Sequence, residues 1–203
     1  MQYFELKQRL KDFTVFSLAD IRKVEPSFYR SRLSEWQKKG YIKKLRRGYY
    51  IFSDLTLSEE TLFLIANRLY APSYVSLEMA LSYYGLIPEG VYSVTSVGSK
   101  KTANFKTPIA EFSYRRIKSA LLFGYKLEKK NGQGYKIADM EKALLDYLYL
   151  NPNIINEADF HEWRFNSDDF LAKADIKKLR EYAEAFKNKR FSARLEQLLT
   201  LIK

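Results

Sequence analysis

The sequence predicts an α+β fold in two units. Residues 1–53 form a small unit of three helices and a two-stranded hairpin; residues 54–203 form a larger mixed α/β unit with an antiparallel sheet and C-terminal helices. Residues 26–52, PSFYRSRLSEWQKKGYIKKLRRGYYIF, carry the first half of this reading, because a helical apolar spacing leads into a glycine stop and two short β-compatible runs. Charge carries the rest, since the net +11 is confined to two blocks. Residues 1–53 hold 13 Lys/Arg against 5 Asp/Glu, and residues 99–138 hold 10 against 2. Residues 54–98 hold 1 against 5, and residues 139–203 hold 11 against 12. Within the first block, residues 22–47 alone hold 10 Lys/Arg and 2 Glu.

The elements of the first unit follow in order. Tyr3, Leu6, Leu10 and Phe13 give the first helix its apolar side. Ser17 caps a short second helix, with Asp20 three residues on completing a capping box and Leu18, Ile21 and Val24 facing inward. Pro26 suits the first turn of a third helix running to residue 39, since the N–H it lacks is unpaired there in any case. Tyr29, Leu33 and Trp36 form that helix's buried seam, and Ser27, Arg30, Ser31, Ser34 and Lys38 its outer side. Gly40 ends the helix. Strands at 41–43 and 49–52 then flank the basic tip Lys44-Leu45-Arg46-Arg47-Gly48. Three helices and a basic hairpin in about fifty residues are the pattern of a winged helix-turn-helix.

In the second unit, Ser58 followed by Glu59 and Glu60 opens a helix to Tyr70, stopped by Ala71-Pro72. Ser76 caps a helix from Leu77 to Tyr84, closed by Gly85 with Pro88 beyond. Strands are expected at 92–97, 108–115, 121–127 and 135–138, the last two joined by a turn at Lys130-Asn131-Gly132-Gln133-Gly134. Asp139 starts an amphipathic helix to Leu150, and Asn151-Pro152 ends it. Ile176, Leu179, Ala183 and Phe186, then Leu195, Leu198, Leu199 and Ile202, mark closing helices.

A basic winged helix makes duplex DNA the expected partner, because its positive charge coincides with a groove-reading motif. Ser27, Arg30, Ser31 and Ser34 are placed near base edges, with Lys38 on the same side, and Arg30 is able to form a bidentate contact to guanine. Arg32, nearer the seam, is expected to brace a phosphate. Lys43, Lys44, Arg46 and Arg47 are expected at phosphates or in the minor groove. The second basic block, including Lys100, Lys101, Lys106, Arg115, Arg116, Lys118, Lys129 and Lys130, reads either as a solvated sheet edge or as a contact surface.

Enzymatic readings find little support. With no cysteine, thiolate metal sites and cysteine nucleophiles are excluded. His161, between Asp159-Phe160 and Glu162-Trp163, lacks the paired ligands a metal site needs. Asp139-Met140-Glu141-Lys142 superficially matches a nuclease set, but adjacent Glu and Lys on a strand would face opposite ways, and a helix start explains them. There is no P-loop. No catalytic, cofactor or metal residues are expected. The N-terminal MQYFELKQRLKDF lacks the apolar core of a secretory signal and no run is long enough to span a membrane, so a cytoplasmic location is expected.

Two stretches resemble a known family. Tyr74-Val75-Ser76-Leu77-Glu78-Met79-Ala80-Leu81-Ser82-Tyr83-Tyr84-Gly85-Leu86-Ile87-Pro88-Glu89 and Ile137-Ala138-Asp139-Met140-Glu141-Lys142-Ala143-Leu144-Leu145-Asp146, in that order after an N-terminal winged helix, resemble AbiEi-family antitoxins across roughly residues 5–150. The resemblance implies an antitoxin of a two-gene toxin–antitoxin or phage abortive-infection system. Its winged helix would repress the operon at inverted repeats in the promoter, cooperatively or as a dimer on the DNA. Residues 54–203 would be the antitoxin domain, counteracting a nucleotidyltransferase-like toxin without a requirement for direct contact. A winged-helix regulator unconnected to a toxin, and an adaptor binding protein or RNA, are the other readings.

Overall fold

The computed structural model describes residues 2–88 and 93–202. Three helices open the chain: α1 (Tyr3–Arg9), α2 (Leu18–Val24) and α3 (Ser31–Lys38). The capping box of α2 forms as its residue types predict, with the Ser17 hydroxyl accepting from the Asp20 N–H and the Asp20 carboxylate accepting from the Ser17 N–H.

Helix α3 starts five residues later than expected. A proline disfavours the helical region for the residue before it, and Glu25 is accordingly extended at φ −143°, ψ 88°. Pro26 and Ser27 lie in a turn, held by the Phe28 N–H donating to the Glu25 carbonyl at 3.1 Å. The shift changes the seam. Phe28 is buried and its ring lies 5.4 Å from that of Trp36, whereas Tyr29, expected in the core, is 75 % exposed.

A hairpin follows, β1 (Ile42–Arg46) and β2 (Tyr49–Phe52), antiparallel with a bulge between Lys44 and Arg46. The expected five-residue tip thus shrinks to Arg47-Gly48, and Gly48 takes a φ of +88° there. Phe16 joins the outer side of β2 through reciprocal backbone bonds to Tyr50, both 2.9 Å. The two faces of the hairpin serve different cores. Ile42, Tyr50 and Phe52 pack with Leu6, Leu10, Phe16, Ile21, Leu33 and Trp36. Leu45 and Ile51, on the other face, belong to the core of the second unit.

That unit begins with α4 (Glu59–Leu69), capped by Ser58, then β3 (Ser73–Val75) and α5 (Leu77–Tyr83). Its remaining strands are β4 (Ser93–Gly98), β5 (Ala103–Lys106), β6 (Glu111–Arg116), β7 (Tyr125–Lys130) and β8 (Gln133–Ala138). Tyr92 of the expected first strand lies outside the described residues. The sheet order is β5-β6-β4-β3-β8-β7. It is mixed rather than antiparallel, because β4 runs parallel to β6 and β3 parallel to β8. Short β5 inserts antiparallel at the edge of β6, which turns the chain so that β6 returns in the direction of β4. The β7–β8 turn closes on two residues, Asn131 at φ 50° and Gly132 at φ 79°, the conformation an Asn-Gly hairpin favours.

Helices cover both faces of the sheet. On β6 the Tyr114 hydroxyl donates to the Ala66 carbonyl of α4, while the next residue, Arg115, donates to the Leu150 carbonyl of α6 (Met140–Leu150) on the other side. Helices α7 (Glu157–Glu162), α8 (Ser167–Lys173), α9 (Ile176–Glu184) and α10 (Lys189–Leu201) close the chain, α9 and α10 packing on α6 and α10 also meeting α7.

Helix α6 carries three buried charged residues, Glu141, Lys142 and Asp146. Lys142 and Asp146, one turn apart, are both fully buried and hydrogen-bonded to each other. Asp146 also accepts from Tyr74 at 2.8 Å and Ser76 at 2.9 Å. Ser76 was expected to cap α5 with its hydroxyl; that hydroxyl goes to Asp146, and Thr95 accepts the Met79 N–H in its place. Lys142 Nζ also lies over the rings of Phe123, Phe186 and Tyr74, at 5.1, 5.2 and 5.6 Å. Burial pushes the Lys142 ammonium below and the Asp146 carboxyl above their ordinary ranges, and their mutual attraction opposes both shifts.

Breaking this pair should be costly. Asp146→Ala is expected to destabilise the chain by about 3–5 kcal/mol in urea unfolding, because it strands a buried ammonium. Lys142→Met with Asp146→Asn is expected to recover part of that loss, since the amide oxygen still accepts from Tyr74 and Ser76 while its NH2 faces the introduced methionine without an acceptor.

Candidate nucleic-acid interface

The outer strip of α3 is a consequence of its short, anchored geometry. Leu33 and Trp36 are buried, which turns Ser31, Ser34, Glu35 and Lys38, at i, i+3, i+4 and i+7, toward solvent. Arg30 precedes the first turn in helical conformation without a side-chain capping bond, and it too is exposed. Glu35 accepts from Lys39 at 2.6 Å, and this bond and the charge behind it hold its carboxyl below the usual range. Arg32 leans inward, 5.5 Å over the Trp36 ring, and is half-buried. Ser27 is exposed in the turn rather than on the helix. Of the residues expected at base edges, the structure therefore groups Arg30, Ser31 and Ser34 with Lys38.

The hairpin cations divide into two roles. Arg47 at the tip and Lys44 on β1 are exposed, and Lys43 is half-buried. Arg46, expected at phosphates, is instead drawn against the second unit. Its Nη1 donates to the Leu69 carbonyl at 2.9 Å, at the C-terminal end of α4 where a cation meets the negative end of the helix dipole. Its guanidinium also lies 4.4 Å over the ring of Phe105 and 5.8 Å over that of Tyr70. Opposite Tyr49 the bulge after Lys44 redirects the strand, and strand alternation read from sequence did not include it.

Tyr70 brings the two basic blocks together. Lys100 Nζ lies 5.5 Å from its ring, and its hydroxyl donates to the Lys101 carbonyl at 2.9 Å. Lys100 and Lys101 thus flank the aromatic cluster that holds Arg46, and Arg116 and Lys118 are exposed on the strand end where Arg116 pairs with Gly98. Other members of the second block are engaged elsewhere. Arg115 caps the end of α6, Lys106 pairs with Glu111 at 3.1 Å, and Lys130 lies 3.5 Å from Glu60.

A second lock joins the units beside the first. Arg68 Nη2 lies 3.1 and 3.2 Å from the two oxygens of Asp20, which is buried. Burial would raise the Asp20 carboxyl, but the bonds from Ser17 and Arg68 outweigh it and hold the group below its ordinary value. The Gln133 amide spans the same seam, donating to the Asp12 carbonyl and accepting from the Thr14 N–H. A cavity of about 560 Å³ runs along it, walled by Asp12, Lys23, Asn67, Arg68 and Lys136 among others. The sequence marked Asp20 only as a capping residue, because nothing local to Asp20 or Arg68 signals a partner 48 positions away.

Among the described residues no group of three or more His, Cys, Asp and Glu is placed to hold a metal, and no helix is long and apolar enough to cross a membrane. His161 falls within α7. No protein-family model matches the chain, and no curated protein matches it at a significant level.

Two outcomes follow from the seam. Arg46→Ala is expected to cost about 1.5–3 kcal/mol in urea unfolding, the range for a lost hydrogen bond from a charged group. Asp20, with a depressed folded value, contributes stability above the ordinary carboxylate pKa of about 3.9 and loses it as pH falls through the lower folded value. Asp20→Asn should therefore lower stability at neutral pH and flatten the loss of stability on acidification, read from unfolding midpoints across the acid range.

Proposed function

We propose that the chain is a sequence-reading duplex-DNA-binding protein whose residues 1–53 act as a winged helix. In that reading α3 enters the major groove and the hairpin tip meets the backbone. The observation that carries the reading is the exposed strip of Arg30, Ser31, Ser34 and Lys38, held over a packed core in a segment with a large excess of positive charge. Short hydroxyl donors beside an arginine suit base edges, and Arg47 and Lys44 suit phosphates. Lys100, Lys101, Arg116 and Lys118 extend the footprint, because Tyr70 links their loop to the hairpin's anchor.

We further propose, from the resemblance to AbiEi-family antitoxins, that the DNA bound is the inverted repeat of the chain's own promoter. Two copies would bind it cooperatively and repress an operon whose other product is a nucleotidyltransferase-like toxin. Counteracting that toxin belongs to the larger unit, and the expected site of action is the cytoplasm.

The test separates the two roles by substitution rather than truncation, since removing residues 1–53 would uncover the core that Leu45 and Ile51 complete. In binding titrations, Arg47→Ala with Lys44→Ala should weaken binding to all duplexes and reduce the salt slope by roughly one per lost phosphate contact. Arg30→Ala should instead reduce the preference for the promoter repeat over scrambled duplex, by about tenfold or more. An Arg30→Ala chain should lose promoter repression and still rescue growth against the toxin encoded beside it. Unchanged binding in both variants would sink the DNA reading, and loss of rescue in a folded, non-repressing variant would sink the division of labour.

A further inference from the structure

We propose that Tyr29 is a base-reading residue that contacts the 5-methyl group of a thymine in each half-site. The inference rests on the DNA-binding reading above and adds to it a residue and a base.

Tyr29 is 75 % exposed and directly precedes Arg30 at the start of α3. Its position is fixed from both sides. Phe28 is 2 % exposed and wedged under Trp36, and the Tyr29 carbonyl accepts the Arg32 N–H at 3.1 Å. The ring therefore projects from a braced turn, on a side chain with only two rotatable torsions, so ordering it on a partner costs little entropy. The other exposed aromatics of this unit are supported by neighbours. Phe4 and Tyr41 each rest on Tyr3, with centroids 5.4 and 4.5 Å apart. Among the described residues, no ring contact or side-chain hydrogen bond holds Tyr29.

An unsupported, exposed ring one residue before a polar, cationic strip has a specific use on DNA. The strip's hydroxyls and arginine read donors and acceptors, which leaves apolar features unread. In the major groove the one apolar feature of a base pair is the thymine methyl. A phenol face is suited to cover it, whereas one hydroxyl cannot supply the bidentate pattern that distinguishes guanine or adenine. The alternative for an aromatic here, a hydroxyl contact to phosphate, would carry no base preference.

The experiment is selection of the full chain on a pool of random duplexes, followed by titration of the selected duplex and a scrambled one. The selected half-site is expected to contain a required thymine. Replacing that thymine by deoxyuridine, which removes the methyl alone, should weaken binding about fourfold. Tyr29→Ala should lose as much on the thymine duplex, lose nothing further on the uracil duplex, and stay within about twofold of the parent on scrambled DNA. Tyr29→Phe should behave as the parent. A uracil penalty that persists in Tyr29→Ala would overturn the assignment, because another group would then read the methyl. So would equal losses for Tyr29→Phe and Tyr29→Ala on selected and scrambled duplexes alike, which mark a phosphate contact. If the parent chain binds no duplex at all, the DNA-binding reading itself falls, and this inference falls with it.

Discussion

Lys142 buries its amino group fully beside Asp146, and the second unit is arranged around keeping that pair satisfied. Its ammonium is met by Asp146 and by three aromatic faces, and Asp146 is met in turn by Tyr74 on β3 and Ser76 at the start of α5. One buried pair therefore ties α6 to the sheet and to α5. The turn that starts α6 extends the ties outward. Asp139 caps the helix through the Lys142 N–H and accepts from Tyr182 of α9, while Lys178 of α9 lies 2.9 Å from Asp139 and 3.0 Å from Glu141. At its other end, Arg194 donates to the Leu148, Asn151 and Ile154 carbonyls. A buried ion pair is weak evidence of net stability. Its effect here is register: Asp146 gains its two further hydrogen bonds only when β3 and the start of α5 are docked on α6.

The hairpin imposes the second constraint. A strand presents alternate residues to opposite faces, and in β2 both sets are apolar, Tyr50 and Phe52 toward the helices of the first unit and Ile51 toward the second. A β-ribbon with two buried faces cannot swing freely. Arg46 on the end of α4 and Asp20 under Arg68 hold the same junction by charge. In the proposed function, the reading strip of α3 is therefore carried at a fixed angle to the larger unit, and Lys100 and Lys101 stand beside the hairpin whenever α3 is in a groove. The two basic blocks, 53 positions apart between Arg47 and Lys100, become neighbours through one tyrosine.

What was legible from sequence was what short range controls. The capping signals at Ser17, Ser58 and Asp139 start helices as expected, because a side-chain oxygen and an N–H two or three residues on are brought together by local geometry alone. The Asn131-Gly132 turn is readable for the same reason. Misreadings cluster where a local rule met a longer-range competitor. Pro26 fits a helix start in isolation, yet Phe28 is the residue buried against Trp36, and the helix starts only at Ser31 with Tyr29 outside. Ser76 has the composition of a cap, and Asp146, 70 positions away, takes its hydroxyl.

By itself, the sequence determined the α+β class, the helices α1 to α6 and the strands β1, β2, β4, β6, β7 and β8 in their order, and the concentration of positive charge on the first unit and on residues 99–138, because composition and periodicity act within a turn or a strand. The short elements β3, β5, α7 and α8 were not legible in it. Only the tertiary structure decided which cations remain available. Arg46 and Arg115 read as equivalent to Arg47 and Arg116, yet two are spent on helix ends and two are exposed. The choice depends on which carbonyls lack a partner once α4 and α6 have docked, and no residue within ten positions of either arginine supplies them.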